Sequence, residues 1–261
     1  MIRIYTKESL IASLKEIRNM GWIENRRHGN DGGVGNTLED LLGIEENNLP
    51  IPNASEWELK CQRSNTSSLI TLMHMDPSPR AMSLITEFLL PNYGWPHQKA
   101  GTKYPSDEMS FRATINAVSR TDRGFGINVN RRESRIEVSF DSHCTSSRHQ
   151  AWLDSVSSKV GLGELRTQPY WGFDDLFHKA GTKLLNCFYI RADVKKVNGN
   201  EYYHYNEIFM LRGFSREKFI NEIENGNLLV DFDARSGHNH GTKFRLNQNC
   251  MPLIYDVVEP I

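Results

Sequence analysis

The stretch PNASEWELKCQRS, Pro52 to Ser64, is the starting point for interpreting this chain. A turn rich in proline and asparagine precedes the run EWELKCQR, which we predict to be a buried β-strand. Alternate residues of a strand point to the same face of the sheet. Glu58 and Lys60 are therefore predicted to project together, while Trp57 and Leu59 face a hydrophobic core.

An acid and a lysine on one face of a strand suit metal-dependent hydrolysis of a phosphodiester. A divalent metal bound by carboxylates stabilises charge on the scissile phosphate and supplies a nucleophile derived from water. Mg²⁺ prefers oxygen ligands and keeps several of its waters, so a pair of carboxylates suffices to hold it. The triplet alone is weak evidence, because Asp193-Val194-Lys195 repeats it in what we interpret as a solvated hairpin edge.

Length and composition limit the class of protein. The chain has 261 residues, 38% of them hydrophobic, which is enough for one large α/β domain or two small ones. The net charge of −1 does not exclude a polyanionic partner, because only the local distribution of charge steers a ligand. We find neither a membrane-length apolar run nor the layout of a signal peptide. The scattered cysteines form no CxxC pair and indicate free thiols in a reducing cytoplasm.

Periodicity predicts four helices and, between Pro77 and Asp107, one further short helical segment, MSLITEFLL. The first is TKESLIASLKEIRNM, which Thr6 or Ser9 can cap. A glycine-rich loop from Arg26 to Asn36 leads into the second, NTLEDLLGIEENN, with Glu39 in its first turn. The third is WGFDDLFHKAGTKL, and the fourth is SREKFINEIENG, which ends at Gly226.

Strand patterns occupy much of the remaining sequence. The runs FRATINAV, GFGINVN and RIEVSFD suggest one antiparallel meander. SLITLMHM is predicted to be a strand that lies beside the strand with Glu58-Leu59-Lys60. A hairpin turn is predicted at Asn198-Gly199-Asn200. LLVDFDA is a late strand, followed by a polar loop, GHNHGTKFRL, that runs into another. We predict an α+β chain, one domain over 1–261 with a central mixed sheet, a catalytic lobe roughly over 1–120 and recognition elements mostly over 121–261.

Motifs near both ends of the chain occur together in a fixed order. They are Gly33 to Glu39, Leu42-Gly43-Ile44, Glu46-Asn47-Asn48, Glu58-Leu59-Lys60, Leu69 to Leu72 with His74, Val230-Asp231, and His238 to Arg245. In combination they resemble the signature of the MvaI/BcnI type II restriction endonucleases, relatives of the mismatch-repair nicking protein MutH. The resemblance covers nearly the whole chain.

This resemblance implies a PD-(D/E)xK restriction-endonuclease-like fold, with helices flanking the sheet and the two lobes arranged around a DNA cleft. It implies a type II site-specific deoxyribonuclease, a phosphodiester hydrolase of a restriction-modification system in the bacterial cytoplasm. The enzyme would bind duplex DNA as a monomer and make Mg²⁺-dependent double-strand cuts. Its site would be short and GC-rich, with CC and GG flanking one central base pair, and Ca²⁺ is expected to support binding without cleavage.

The resemblance also assigns roles at the predicted active site. Glu58 would be a metal ligand, Lys60 the base that orients water, and Glu39 a supporting acid. A simpler interpretation of Glu39 is a favourable acid near a helix N-terminus. Asn53 stands where the family pattern has aspartate, and its uncharged amide should hold Mg²⁺ poorly as a metal ligand. Either the chain is a naturally weakened variant, or the residue was changed to capture uncut DNA.

The segment VDFDARSGHNHGTKFRL is dense in groups that read base edges. Arginine and lysine pair with guanine, and acids accept from cytosine N4. The guanine candidates are Arg235, Lys243 and Arg245, and the cytosine candidates are Asp231 and Asp233. His238 and His240 can donate or accept, and His74 resembles the histidine of family members that accept C·G or G·C at the central pair. Arg26 and Arg27 are candidates for phosphate contact, which positions DNA without specifying sequence.

The sequence also contains features of other protein classes. His238-Asn239-His240 spells HNH, but HNH nucleases take those residues from separated positions. A zinc site at His143, Cys144 and His149 does not match standard spacing. A DNA-binding module of the same fold that has lost catalysis is supported by Asn53 and opposed by the retained Glu58 and Lys60. An unrelated α/β hydrolase lacks a GxSxG motif.

Overall fold

The computed structural model describes residues 5–25, 27, 32–44, 56–64 and 66–261, so Arg26 and Asn53 lie outside the described residues. Within them the α-helices are α1 Lys7–Asn19, α2 Gly33–Leu42, α3 Leu90–Tyr93, α4 Gln150–Val160, α5 Phe173–Leu184 and α6 Arg216–Glu224. The strands are β1 Ile23–Glu24, β2 Glu58–Arg63, β3 Leu69–His74, β4 Trp95–Pro96, β5 Met109–Ile115, β6 Arg123–Asn130, β7 Arg135–Thr145, β8 Tyr170–Gly172, β9 Asn186–Val197, β10 Asn200–Phe214, β11 Leu228–Arg235, β12 His238–Asn247 and β13 Tyr255–Pro260. None of these helices is long and apolar enough to cross a membrane.

The chain divides into two compact units, each made of separate segments. The first unit contains Met1–Ile70, His178–Lys218 and Asn247–Ile261, and the second contains Thr71–Phe177 and Phe219–Leu246. Both units therefore combine residues from distant parts of the sequence.

A mixed sheet forms the centre of the first unit, as predicted. Its strand order is β1-β10-β9-β2, with β13 also pairing with β10. β2 runs parallel to β9, whereas β9, β1 and β13 all pair antiparallel with β10. α1 and α2 bury their apolar side chains in a core shared with Trp57 and Leu59 of the β2 region. Thr6 caps α1 in a reciprocal pair with Ser9, which confirms the predicted start of that helix.

α2 begins earlier than its sequence pattern predicts. It starts at Gly33 rather than at Asn36, so Glu39 lies in the middle of the helix and not in its first turn. The glycine is required for close packing: a Cβ at Gly33 would come within 2.8 Å of Asn25 Nδ2 and 2.9 Å of Tyr203 Oη. Glycine usually marks a helix end, but here Gly33 is the first residue of α2 and lets Asn25 and Tyr203 pack closely against the helix.

The predicted hairpin of the first unit is confirmed. β9 and β10 pair antiparallel from Asn200↔Val197 onward. Asn198 and Gly199, between them, have φ values of 52° and 85°. Positive φ at both central residues is what a tight hairpin turn with right-handed strand twist needs.

The second unit contains two sheets, with orders β3-β12-β11-β5-β4 and β6-β7-β8. Two sequence predictions are wrong here. The three runs around β5, β6 and β7 do not form one meander, because β5 pairs with β11 and β4 while β6 pairs with β7. β3 pairs with β12 rather than with β2. In both cases the strand pairs with one that is distant in the sequence and not with its neighbour in the sequence.

The supposed polar loop after β11 is also a strand. β12 begins at His238 and forms a hairpin with β11, in which Asp231 pairs with Lys243 and Arg235 with His238. Only Ser236 and Gly237 separate the two strands, and Gly237 has a φ of 68°. In sequence alone this segment resembles a loop because it is rich in polar residues. These residues are compatible with a strand because one face of β12 does not pack against the core.

Candidate functional site

Glu58 and Lys60 project together from β2, as the alternation of the strand predicts. Lys60 Nζ lies 2.7 Å from Glu58 Oε1. The Glu58 side chain is only 1% exposed, and the Lys60 side chain is 16% exposed. A buried carboxylate costs several kcal/mol unless it is paired, so this contact offsets part of the cost of burying Glu58 inside the first unit.

A second lysine, which sequence reasoning missed, approaches the same carboxylate. Lys183 of α5 places its Nζ 3.6 Å from Glu58 Oε1. The other oxygen, Oε2, is buried and has no hydrogen-bond partner among the residues that the structure describes. The cluster thus holds more positive than negative charge, together with one carboxylate oxygen left to accept another ligand.

Neutral groups lie around this cluster. β2 pairs with β9 so that Glu58 stands opposite Cys187. Burial, and next the charge of Glu58, raise the pKa of the Cys187 thiol. Burial is also the main cause that raises the pKa of Tyr255, and its interactions with Cys187 and then Glu58 raise that pKa further. Both groups are therefore uncharged at neutral pH, and they give Glu58 neighbours of low polarity that strengthen its electrostatic interactions.

Glu39 lies within electrostatic reach of β2. Its charge helps to raise the pKa of Cys61, for which burial is the larger cause. Cys61 packs against the core that contains α1 and α2, on the face of β2 opposite to Lys60. Glu39 therefore acts electrostatically on the face of β2 that carries Cys61, which is opposite to the face that carries Glu58 and Lys60.

The candidate phosphate contacts differ in what can be described. Arg27 forms a fork on Asp40 of α2, with Nε 2.8 Å from Oδ2 and Nη2 2.5 Å from Oδ1. The guanidinium is therefore bound to an acid of its own unit. Arg26 lies outside the described residues.

One face of the β5-β11-β12 layer in the second unit is polar. Along β11 the buried residues Val230, Phe232 and Ala234 alternate with less buried charged ones. β12 repeats the alternation around Phe244. The charged residues that share this face of the two strands are Asp231, Asp233, Arg235, Lys243 and Arg245.

Both aspartates of this face are already engaged. Asp231 accepts from Arg245 Nη1 at 3.2 Å and from Thr114 Oγ1 at 2.9 Å. Asp233 Oδ1 lies 2.8 Å from Arg112 Nε, and its Oδ2 lies 3.5 Å from Lys243 Nζ. Thr114 and Arg112 belong to β5, and the mistaken meander concealed them from sequence reasoning.

Arg235 differs from the other charged residues of the sheet. Its Nη1 donates to Glu108 Oε1 at 3.0 Å, and Glu108 is buried. The guanidinium carbon also lies 4.6 Å from the centre of the Tyr104 ring. Arg235 is therefore held by an acid and an aromatic ring of the second unit.

The predicted histidines gather at the end of the β11-β12 hairpin. His238 Nε2 lies 3.2 Å from His240 Nδ1, and both residues are exposed. A Cβ placed on Gly241 would lie 3.6 Å from His74 Cδ2, so the His74 ring borders this backbone. Asp76 accepts from both the amide and the hydroxyl of Thr242, which anchors β12 beside them.

The residues of the zinc alternative bind separate aspartates. His149 Nε2 lies 2.8 Å from Asp122 Oδ2, and Cys144 Sγ donates to Asp141 Oδ2 at 3.4 Å. Hydrogen bonding from His149 is the first cause that lowers the pKa of Asp122. Within the described ranges, no three histidine, cysteine or acidic residues are grouped so as to hold a metal ion.

Comparison with known proteins shows the family and the fold of the chain. The model of the MvaI/BcnI restriction endonuclease family matches residues 11–255. A solved complex of restriction endonuclease MvaI with its cognate DNA substrate has 23% sequence identity and a TM-score of 0.76, over 98% of this chain and 99% of that one. MvaI in the absence of DNA has 24% identity and a TM-score of 0.55, over 100% of both chains. No curated protein matches the chain.

These similarities confirm the resemblance and the restriction-endonuclease fold inferred from the motifs at both ends of the sequence. The family match spans far more than half of the chain, and its members are nucleases. The chain belongs to the MvaI/BcnI restriction endonuclease family.

Proposed function

We propose that this chain is a type II restriction endonuclease that makes Mg²⁺-dependent double-strand cuts in duplex DNA at a short, GC-rich site. The observation that carries the proposal is the buried Glu58–Lys60 pair in a member of this family, with a Glu58 oxygen that has no hydrogen-bond partner among the described residues. Family membership supports nuclease activity in general, and the finer statements rest on the site residues.

The donor set around Glu58 fits a hard divalent cation. Oε2 of Glu58 is buried and without a hydrogen-bond partner among the described residues, a costly arrangement that a metal ion would relieve. Glu58 and Asn53, which lies outside the described residues, are the proposed ligands, both through oxygen as Mg²⁺ prefers. A bound Mg²⁺ would stabilise charge on the scissile phosphate and lower the pKa of a bound water.

Lys60 is proposed to orient the attacking water and to stabilise the negative charge that develops on it as its proton passes to the solvent. Its ammonium contacts Glu58 Oε1 at 2.7 Å and remains partly accessible, so a water can approach it. Lys183 is proposed to share Oε1, which keeps Oε2 directed away from both ammonium groups. The excess positive charge of the cluster favours approach of a phosphodiester. Glu39 is proposed to act as a supporting acid near β2.

The polar face of β11 and β12 is proposed to read the DNA. Its mixture of arginine, lysine and aspartate suits C·G pairs, in agreement with a site in which CC and GG flank one central base pair. His238, His240 and His74 are proposed to contact the central region of that site. The protein would bind as a monomer in the bacterial cytoplasm, where its four free cysteines would remain reduced.

A second candidate function is a DNA-binding protein that cuts slowly or not at all. Asn53 favours it, because an amide oxygen lacks the charge that holds Mg²⁺ against its hydration shell. Glu58 and Lys60 keep the arrangement required for cleavage. The choice between the two functions therefore depends on whether the side-chain amide of Asn53 can serve as a metal ligand.

The Asn53→Asp substitution separates them. Single-turnover cleavage of a plasmid is measured with Mg²⁺, and binding of duplexes is measured in Ca²⁺. The substitution should raise the cleavage rate by roughly a hundredfold or more, because a charged ligand is restored. The substitution barely changes side-chain volume.

The matched control is Asn53→Asp combined with Glu58→Gln, which should not cut. Rapid cutting by the protein with Asn53, with no gain from aspartate, would place the second metal ligand elsewhere. Absence of both cutting and sequence-selective binding in every variant would refute the proposed function.

A further inference from the structure

We propose that Arg112 reads a guanine of the recognition site and that Asp233 holds its guanidinium in place. The proposal rests on the proposed sequence-specific binding of duplex DNA and adds a specificity-determining residue outside the segment from Val230 to Leu246. It also changes the role expected of Asp233, from a cytosine acceptor to a support for an arginine.

Arg112 lies on the polar face of the sheet. β5 pairs with β11 in a register that places Arg112 opposite Asp233, and Arg112 Nε lies 2.8 Å from Asp233 Oδ1. The Arg112 side chain is 56% exposed. Its Nη1 and Nη2 have no hydrogen bond with any residue in the described part of the chain. An accessible guanidinium with free terminal donors matches O6 and N7 of guanine.

The other arginines of this face are less available. The Arg245 side chain is 31% exposed and the Arg235 side chain 29% exposed. Arg235 is also bound to buried Glu108 and lies over the Tyr104 ring, so it stabilises the second unit. Arg112 is thus the arginine of this face best placed to receive a base edge, although it is outside the C-terminal segment that sequence reasoning selected.

Asp233 is better suited to hold cations than to accept from cytosine. Its two oxygens face different cations, Arg112 on one side and Lys243 on the other. A cytosine amino group would have to compete with both. A guanidinium already held by a carboxylate loses less side-chain freedom when it binds, and this favours specific recognition.

The arrangement beside it repeats the same design. Arg245 Nη1 is held by Asp231 Oδ2 at 3.2 Å, and Thr114 fixes the other oxygen of that aspartate. Two arginines, each supported by one aspartate of β11, therefore lie on one face of the sheet. Two neighbouring guanines are the ligand that this chemistry suits.

The test selects bound DNA from a pool of randomised duplexes, with the full chain in Ca²⁺, and compares the enriched sequences of the parent and the variants. The variants are Arg112→Ala and Arg112→Lys, because lysine keeps the charge but not the fork of donors. Arg80→Ala is the matched control, since Arg80 is equally exposed and pairs with Asp175. Thermal unfolding checks that each variant is folded.

We expect Arg112→Ala to lose the preference for guanine at one position of the enriched site. Its affinity for the parent site should fall about 5- to 150-fold, the range of one bidentate base contact, with little change on duplexes that lack that guanine. Arg112→Lys should relax the same position, and Arg80→Ala should change nothing.

Three outcomes would overturn the inference. An unchanged enriched site in Arg112→Ala would remove Arg112 from recognition, while the proposed function would stand. Equal loss on every duplex would reassign Arg112 to phosphate contact. Failure of the parent protein to enrich any site would refute the proposed function itself, and the reading of guanine with it.

Discussion

The cluster around Glu58 and the polar face of β5, β11 and β12 both bring acids and cations together, but in different proportions. In the first unit one buried carboxylate faces Lys60 and Lys183, and one of its oxygens has no hydrogen-bond partner among the described residues. In the second unit each aspartate of β11 has partners on both of its oxygens, in less buried surroundings. In the first arrangement one carboxylate oxygen lacks a partner among the described residues, whereas both aspartates of the second have partners before any ligand binds.

This difference suggests different uses of electrostatics. Burying a carboxylate with one unpaired oxygen costs free energy, and a bound metal ion can offset that cost. Such an arrangement suits a catalytic centre. The less buried ion pairs of the second unit add little stability, but each aspartate holds its arginine in place. Fixed donors favour recognition of base edges over strong non-specific attraction.

The largest effect is expected at Glu58. In the Asn53→Asp background, Glu58→Ala should abolish cleavage. Because it leaves two partly buried ammonium groups without their partner, it should also lower the free energy of unfolding by about 3 kcal/mol. Single-turnover cleavage and urea unfolding measure the two effects. Glu58→Gln, which keeps the volume and one acceptor oxygen, should lose cleavage with a smaller loss of stability.

Cleavage by Glu58→Ala at the parent rate would show that this cluster is not the catalytic centre. An unchanged free energy of unfolding would show that the lysines find other partners.

Lys183→Met should have an intermediate effect. In the Asn53→Asp background we expect cleavage to slow about 10- to 100-fold, because a residue that orients a metal ligand typically contributes that much. Binding of duplexes in Ca²⁺ should change less. Lys179→Met is the matched control on α5, since Lys179 makes no ion pair with a residue in the described ranges. Equal slowing in both variants would indicate a general effect of helix charge rather than the contact with Glu58.

Thr114→Val tests the smallest effect, on the polar face. Valine keeps the shape and the strand preference of threonine but removes the hydroxyl bonded to Asp231 Oδ1. Site-specific binding in Ca²⁺ should weaken by about 0.5–1.5 kcal/mol, the usual contribution of one such hydrogen bond. Thr86→Val, whose hydroxyl donates to the backbone oxygen of Ser83, is the control. Tighter binding by Thr114→Val would show that Asp231 acts as a free acceptor and not as a fixed support.

Local rules were sufficient for much of the architecture. The alternation in EWELKCQR predicts the shared face of Glu58 and Lys60, since strand geometry leaves no other choice within a register. The Asn198-Gly199 turn predicts the β9-β10 hairpin, because few residues tolerate positive φ at both positions. The same local rules misplaced the start of α2, where Gly33 is used for close packing.

Long-range pairing escaped sequence reasoning. β2 pairs with β9 and not with β3, and β5 pairs with β11 and not with β6. These choices depend on which pairings bury the most apolar surface across the whole unit, and a single stretch of sequence does not contain that information. Lys183 and Arg112 were missed for this reason.

Residue types and short spacings indicated an acid and a lysine on one face of a strand and a C-terminal segment rich in groups able to bind bases, and the family resemblance marked Asn53 as standing where aspartate is expected. Tertiary structure decided how those groups are buried and paired. It buried Glu58, brought a second lysine to it, and placed Arg112 against Asp233. Side-chain identity is encoded residue by residue, whereas burial and contact arise only when distant segments pack together.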